Sequence, residues 1–195
     1  TLLVLLVTLV ALQFVQPAPP RQISIAAGAK DGAYYRYAQR YAAILARSGI
    51  ELRVLETNGS VDNLKRLLAP EDAPELALVQ GGIATDEQKD ALMGLGSMFY
   101  EPVWLLAPQG EHQGPLNQLR GKRIGIGPPD SGTQFLALRM LSRSGISKSN
   151  NDFSSTDMTA AADQLQAGEL DLLFLVSATD APLLRRLCLL YTSLS

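Results

Sequence analysis

Residues 21–47 read RQISIAAGAKDGAYYRYAQRYAAILAR, and their pattern decides the fold. Ile23 and Ile25 alternate with polar neighbours over Arg21 to Ala27, a short run closed by Gly28, which predicts a strand. Tyr34, Tyr37, Ala38, Tyr41, Ile44 and Leu45 then recur at three- and four-residue spacing, which predicts a helix over 34–47. Ser48-Gly49 ends it, since glycine just past a helix accepts the left-handed conformation that terminates one. Strand, glycine-rich turn and helix form one unit of a parallel α/β sheet.

The same alternation continues along the chain. Glu51 to Glu56 reads as a strand, and Ser60 to Leu68 as a helix with Ser60 or Thr57 as its N-cap. Glu75 to Gln80 reads as a buried strand. Leu95 to Ala107 reads as two strands broken at Glu101-Pro102, the second of which (Val103 to Leu106) crosses into a new unit. Leu116 to Leu119 is a short helix, Arg123 to Gly127 a strand, and Ser131 to Arg143 a helix ended by Gly145. Thr159 to Ala167 is a helix, Leu170 to Val176 a hydrophobic strand, and Asp180 to Leu187 begins a last helix. Two βα units follow, Arg21 to about Glu101 and Val103 to about Leu187, without a sequence repeat between them.

Composition narrows the function. With 17 Lys and Arg against 19 Asp and Glu over 195 residues, no strong field invites nucleic acid. One cysteine, Cys188, and one histidine, His112, make neither an intramolecular disulfide nor a zinc site on their own. Thr1 to Val15 is apolar all round and uncharged, and Gln16-Pro17-Ala18-Pro19-Pro20 follows as a stiff extended spacer. We read the apolar run as the end of a signal segment or transmembrane helix, and as an uncleaved anchor because no small-x-small site precedes the spacer. Cys188 to Ser193 matches the translation of a sequencing-adaptor end, so residues 188–195 are set aside as a non-native tail. The organisation expected is an anchor at 1–15, a spacer at 16–21, a first lobe at 22–102 and an incomplete second lobe at 103–187.

Three strand-to-helix turns carry the candidate chemistry: Gly28 to Tyr35, Thr57 to Asn63, and Gly127 to Thr133. Each helix start exposes backbone N–H groups and the positive end of the helix dipole. In a parallel sheet such turns gather at the carboxyl ends of the strands, and helix N-termini suit a carboxylate or a phosphate. Tyr34 and Tyr35 open a helix beside the first turn, where one can stack on a ligand; Tyr37 and Tyr41, four apart, share a core face. Asp130 stands where a dinucleotide fingerprint after Gly125-x-Gly127 needs its third glycine, and no Gly-Lys-Ser/Thr completes a P-loop. Ser131 has no His nearby in sequence to activate it, and His112 sits in a Gly- and Gln-rich loop. Nothing in the pattern calls for catalysis or a cofactor.

In this order the motifs resemble the solute receptors of TRAP transporters of the TAXI type. The residues that carry the likeness are Gly28 to Tyr35, Thr57 to Asn63, Leu78-Val79-Gln80, Tyr100-Glu101-Pro102 and Gly127 to Thr133. The resemblance spans most of residues 21–180, and the tethered, proline-rich start is similar to a membrane-anchored branch of that family. It implies a type II periplasmic-binding-protein fold, two α/β lobes around a central ligand cleft, with the C-terminal return to the first lobe missing. It further implies capture of a small carboxylate, such as glutamate or 2-oxoglutarate, on the periplasmic side of the inner membrane. The implied partners are TRAP membrane subunits and, through the N-terminal helix, the lipid bilayer. Gly28, Gly32, Tyr34, Tyr35, Thr57, Gly59, Ser60, Asn63, Gln80, Ser131, Gly132 and Thr133 are the implied ligand-binding positions. Replacing Ser131 and Thr133 by alanine is then expected to abolish binding with the fold intact. Asp31 departs from the family's usual glycine and faces solvent, pairs with Lys30 or signals another ligand. Other readings of the same turns are a membrane-anchored ligand sensor and an enzyme of small phosphorylated metabolites.

Overall fold

Strand and helix alternate as the hydrophobic pattern requires, and they assemble around two separate sheets. A computed structural model describes residues 20–108 and 114–192. The elements are β1 (Gln22–Gly28), α1 (Ala33–Ala46), β2 (Glu51–Glu56), α2 (Ser60–Leu67), β3 (Leu76–Ala77), α3 (Asp86–Asp90) and β4 (Val103–Leu106). A 3-10 turn (Leu116–Gln118) leads to β5 (Arg123–Gly125), α4 (Gly132–Arg143), β6 (Asp152–Ser154), α5 (Met158–Gln166), β7 (Leu172–Val176) and α6 (Pro182–Thr192). The first sheet is parallel in the order β2-β1-β3, and the second runs β4-β7-β5-β6.

Each sheet has its own core. Ile25 and Ala27 of β1, Leu52 of β2 and Ala38 of α1 form the first, with Tyr35, Tyr41 and Leu45 packed against it. In the second lobe, Leu172 and Phe174 face Ile124, Ala137 and Leu141, while Leu173 turns to Ala161, Ala162, Leu165 and Leu187. Successive strand side chains point to opposite faces. Covered on both, β7 therefore reads as an unbroken apolar run.

Several expectations are corrected. The second sheet is mixed, because β4 pairs antiparallel with β7 while β5 pairs parallel with both β6 and β7. That strand arrives from the first lobe rather than through a crossover helix, so nothing obliges it to run parallel. No strand forms over 95–100, where Leu95 is 78% and Tyr100 95% exposed. Glu75 to Gln80 shortens to a half-buried pair, Leu76–Ala77. Side chains from α2 intercept the ladder there: Asn63 Nδ2 donates to the Leu78 carbonyl and Ser60 Oγ accepts the Gln80 N–H. The N-cap of α2 is Gly59, not Ser60 or Thr57. Two short elements had no place in the sequence reading, β6 and the helix α3, whose Thr85 and Gln88 form a reciprocal cap.

Tyr37 stacks on Phe99, ring centroids 4.6 Å apart, instead of joining the core. Lys30 pairs with Glu56 at 3.1 Å, so it is not the partner of the exposed Asp31. Helix α6 continues to Thr192, through most of the stretch set aside as a tail. The apolar run at 1–15 and His112 lie outside the described residues. Among the described residues no helix is long and apolar enough to cross a membrane.

Candidate ligand site

The three glycine-rich turns meet where the two sheets face each other. A Cβ placed on Gly28 would lie 3.8 Å from the Gly59 Cα, and one on Gly59 would lie 3.3 Å from the Ser131 Cα. The first turn therefore touches the second within one lobe, and the second touches the third across the junction. Gly59 has φ +119° and ψ −159°, a combination that side chains with a Cβ essentially never adopt. From the first lobe Gln80 also reaches over, since a Cβ on Gly132 would fall 1.8 Å from Gln80 Oε1. The lobes are clasped at the same place. The Asp62 N–H donates to the Asp130 carbonyl at 3.2 Å, and Lys65 Nζ lies 2.8 Å from Asp130 Oδ1.

The residues singled out in the sequence take different parts here. Gly28, Gly59, Ser60, Gln80, Ser131 and Gly132 come together at the junction, with Tyr34 beside them. Gly32 caps α1 and donates its N–H to Ala29 O. Tyr35 packs on the first core. The Thr57 hydroxyl donates to Asn63 Oδ1, and the buried Asn63 passes on to Leu78 O at 2.7 Å, so both brace the turn from behind. Ser131 Oγ donates to Pro128 O and accepts the Gln134 N–H, which commits the hydroxyl to capping α4. Thr133 Oγ1 accepts the Val176 N–H and holds the end of β7. A Ser131→Ala, Thr133→Ala pair would thus strip a helix cap and a strand anchor together, so it does not probe ligand contact alone.

Sequence reasoning missed Glu101 as a site residue, although Tyr100-Glu101-Pro102 stood among its motifs. Its carboxylate lies between the turns: Tyr34 OH donates to Oε2 at 2.6 Å, and Gln80 Nε2 stands 3.4 Å from the same oxygen. Phe99 positions the segment by meeting Tyr34 edge-on at 5.8 Å and Tyr37 at 4.6 Å with the rings tilted by 33°. Burial pushes the Glu101 carboxyl above the ordinary carboxylate range, and the hydrogen bonds from Tyr34 and Gln80 only partly oppose it. Burial, followed by the charge and hydrogen bond of Glu101, raises the Tyr34 phenol far above its usual value. Among the described residues none of the ion pairs includes Glu101. Its place in the Tyr100-Glu101-Pro102 motif was the signal in the sequence for it.

A cavity of about 450 Å³ opens alongside, lined by Ile83, Thr85, Phe135 and Arg139 among others. It borders the next turn of α4 rather than the three glycine turns, and Arg139 closes its rim with a hydrogen bond to Gly82 O. The polar groups converge at the turns, which makes them the candidate site. Among the described residues no cluster of His, Cys, Asp and Glu is arranged to hold a metal.

Two α/β lobes, each with its own sheet, and helix starts that meet at the junction between them define the fold of periplasmic binding proteins. The chain belongs to the NMT1-like family, whose model matches residues 25–187. Its fold is similar to that of the alkanesulfonate-binding protein SsuA from Xanthomonas axonopodis pv. citri bound to MOPS, with TM-score 0.53 and 20% identity over 82% of this chain and 56% of that one. A protein from Bordetella bronchiseptica RB50 matches with TM-score 0.59 and 18% identity over 89% of this chain and 55% of its own. An ancestral arginine-binding protein bound to arginine matches with TM-score 0.56 and 13% identity, over 90% and 75% of the two chains. The chain spans little more than half the length of the first two. No curated protein matches the sequence.

Proposed function

We propose that this chain is the ligand-capturing part of an extracytoplasmic solute-binding protein that takes up a small organic anion and is not itself catalytic. The observation that carries this reading is the meeting of Gly59 with Ser131, which brings the helix starts of α2 and α4 from separate lobes to one point. The first N–H groups of a helix have no intrahelical acceptor, and they favour an anion without needing a full cation. A site shared between lobes also closes as its ligand binds. Solved structures of this fold include, by name, proteins for alkanesulfonates and for arginine, both small polar solutes. A division into lobes at 22–102 and 103–187 is part of this reading, and the start of β4 at Val103, in the second sheet, supports it.

The TAXI-type motifs support delivery to TRAP membrane subunits on the periplasmic side of the membrane, with residues 1–15 as the anchor. The test is a thermal-shift screen of the full-length protein against carboxylates, amino acids, sulfonates and sugar phosphates. A ligand at 100 times its Kd adds ~2.7 kcal/mol, or roughly 5–11 °C for a chain of this size. Hits confined to sugar phosphates would discard the transport reading in favour of an enzyme of phosphorylated metabolites.

A further inference from the structure

We propose that Glu101 is a proton switch at the junction: its protonation turns the Gln80 amide over, so that an anion and a proton are taken up together. The proposal rests on the solute-binding reading above and adds its regulation. An ionised carboxylate only accepts hydrogen bonds. Glu101 accepts them at Oε2 from the Tyr34 hydroxyl at 2.6 Å and from Gln80 Nε2 at 3.4 Å. With its NH2 committed there, the Gln80 amide turns its oxygen the other way, and that oxygen packs against Gly132, the first residue of α4. While Glu101 is charged, the start of α4 therefore meets a carbonyl oxygen from the opposite lobe, with the carboxylate behind it. Both oppose an incoming anion and offset the positive end of the helix dipole.

Protonation reverses this arrangement. A neutral carboxyl carries one O–H donor and keeps acceptor capacity, so the Tyr34 bond survives while the contact with Gln80 changes sign. The amide turns over about its last side-chain bond, brings Oε1 to the new O–H, and lays its NH2 against Gly132. That NH2 adds a donor beside the first N–H groups of α4, which lack intrahelical acceptors. The surroundings leave this proton to Glu101. Around the carboxyl, α1 contributes the Tyr34 phenol, α2 the neutral Ser60 behind that phenol, and the segment before α3 the neutral Gln80. No ion pair among the described residues includes Glu101, and burial already holds its carboxyl above the ordinary carboxylate range. The Tyr34 phenol, raised far above its usual value, stays protonated throughout. By linkage, proton and anion strengthen each other's binding by the same factor.

Isothermal titration of the full-length protein with 2-oxoglutarate, L-glutamate and ethanesulfonate, from about pH 8 down to about pH 5.5, decides the matter; the acid groups of all three stay largely ionised over that range. We expect the tightest of them to gain about 5–150-fold in affinity as the pH falls. In Glu101→Gln, whose side-chain amide donates at every pH, the affinity should stay at the level the wild type reaches in acid. An affinity independent of pH in the wild type, or a pH dependence that survives in Glu101→Gln, overturns the switch and leaves the solute-binding reading standing. If that variant does not fold, wild-type titrations in two buffers of different ionisation enthalpy decide. Uptake of up to about one proton with each anion supports the switch, and no uptake overturns it. Failure of all three anions to bind at any pH overturns both readings.

Discussion

Gly59→Ala puts the junction to a direct test, because the substitution acts through two separable costs. The first is conformational: at φ +119° and ψ −159° the backbone sits where only glycine is at ease, and a side chain there costs about 1–3 kcal/mol. This strain belongs to the first lobe and is present whether or not the lobes meet. At roughly 2–4 °C per kcal/mol for a chain of this size, the melting temperature should fall by about 2–12 °C. The second cost arises only when the lobes meet, because the new methyl would stand 3.3 Å from the Ser131 Cα and 3.6 Å from its Cβ. Overpacking of this kind costs about 1–3 kcal/mol, which amounts to about 5–150-fold in the affinity of a ligand that needs closure.

Urea unfolding measures the first cost and isothermal titration with the tightest ligand of the thermal screen measures the second. Gly81→Ala is the control, since a Cβ there meets nothing within 4 Å and its φ lies outside the left-handed range. It should stay within about 1 kcal/mol of wild type. Equal unfolding midpoints for Gly59→Ala and Gly81→Ala would refute the strain. An affinity unchanged in Gly59→Ala would refute the idea that this glycine is where the lobes close.

Ser131→Ala removes the N-cap of α4 and should cost about 0.5–2 kcal/mol; hydrogen exchange should show the loss first at Gln134, whose N–H the hydroxyl accepts. Asn63→Ala leaves the Thr57 hydroxyl and the Leu78 carbonyl without their buried partner, and chemical denaturation should register about 1–3 kcal/mol. Glu101→Gln should stabilise the ligand-free protein at neutral pH, because burial raises the Glu101 carboxyl above its unfolded value. The sign follows from linkage: the folded protein holds this proton more tightly, so the native charge weighs against folding as pH rises through the raised value. Below the ordinary glutamate value of about 4.3 the two proteins should melt alike. A Glu101→Gln protein less stable than wild type at neutral pH, and equally so in acid, would contradict this account.

Much of the fold was legible because the deciding signals are local. Ile23 and Ile25 alternate, the residues from Tyr34 to Leu45 repeat at helical spacing, and Leu172 to Val176 form a continuous run, so strand, helix and two-faced burial follow from the residues themselves. What escaped depends on partners distant in sequence. Nothing in Val103 to Leu106 states that it runs antiparallel to β7, 73 residues along in the Val103–Val176 pairing. Glu75 to Gln80 has the composition of a full strand, yet Asn63 and Ser60 take its carbonyl and its N–H. At the site, the glycine turns could be read as turns, whereas the use of each hydroxyl could not. Ser131, Thr133, Thr57 and Asn63 spend their polar atoms on holding backbone. Tyr34 and Tyr35 are adjacent and alike in sequence, and only the direction of α1 sends one to Glu101 and the other to the core.

The strength of the clasp bears on how such a protein would work. Apart from backbone, the lobes are held at the turns by Lys65 and Asp130, whose side chains are 60% and 45% exposed. A pair so exposed is worth about 0–1 kcal/mol, and the hydrogen bonds from Asp62 to Asp130 and from Arg139 to Gly82 add about 1 kcal/mol each. Moving a two-state opening from 1:99 to 99:1 takes about 5.5 kcal/mol, so these contacts alone cannot hold the lobes shut. The remainder has to come from a ligand that touches both sides. Glu101 stands two residues before β4, at the crossing between the sheets, and Gln80 joins it to Gly132 on the far lobe. A ligand held beside Gln80 therefore acts on the crossing and on the opposite lobe together. A receptor that must release what it captures needs this division, a weak clasp of its own and a strong one made through its ligand.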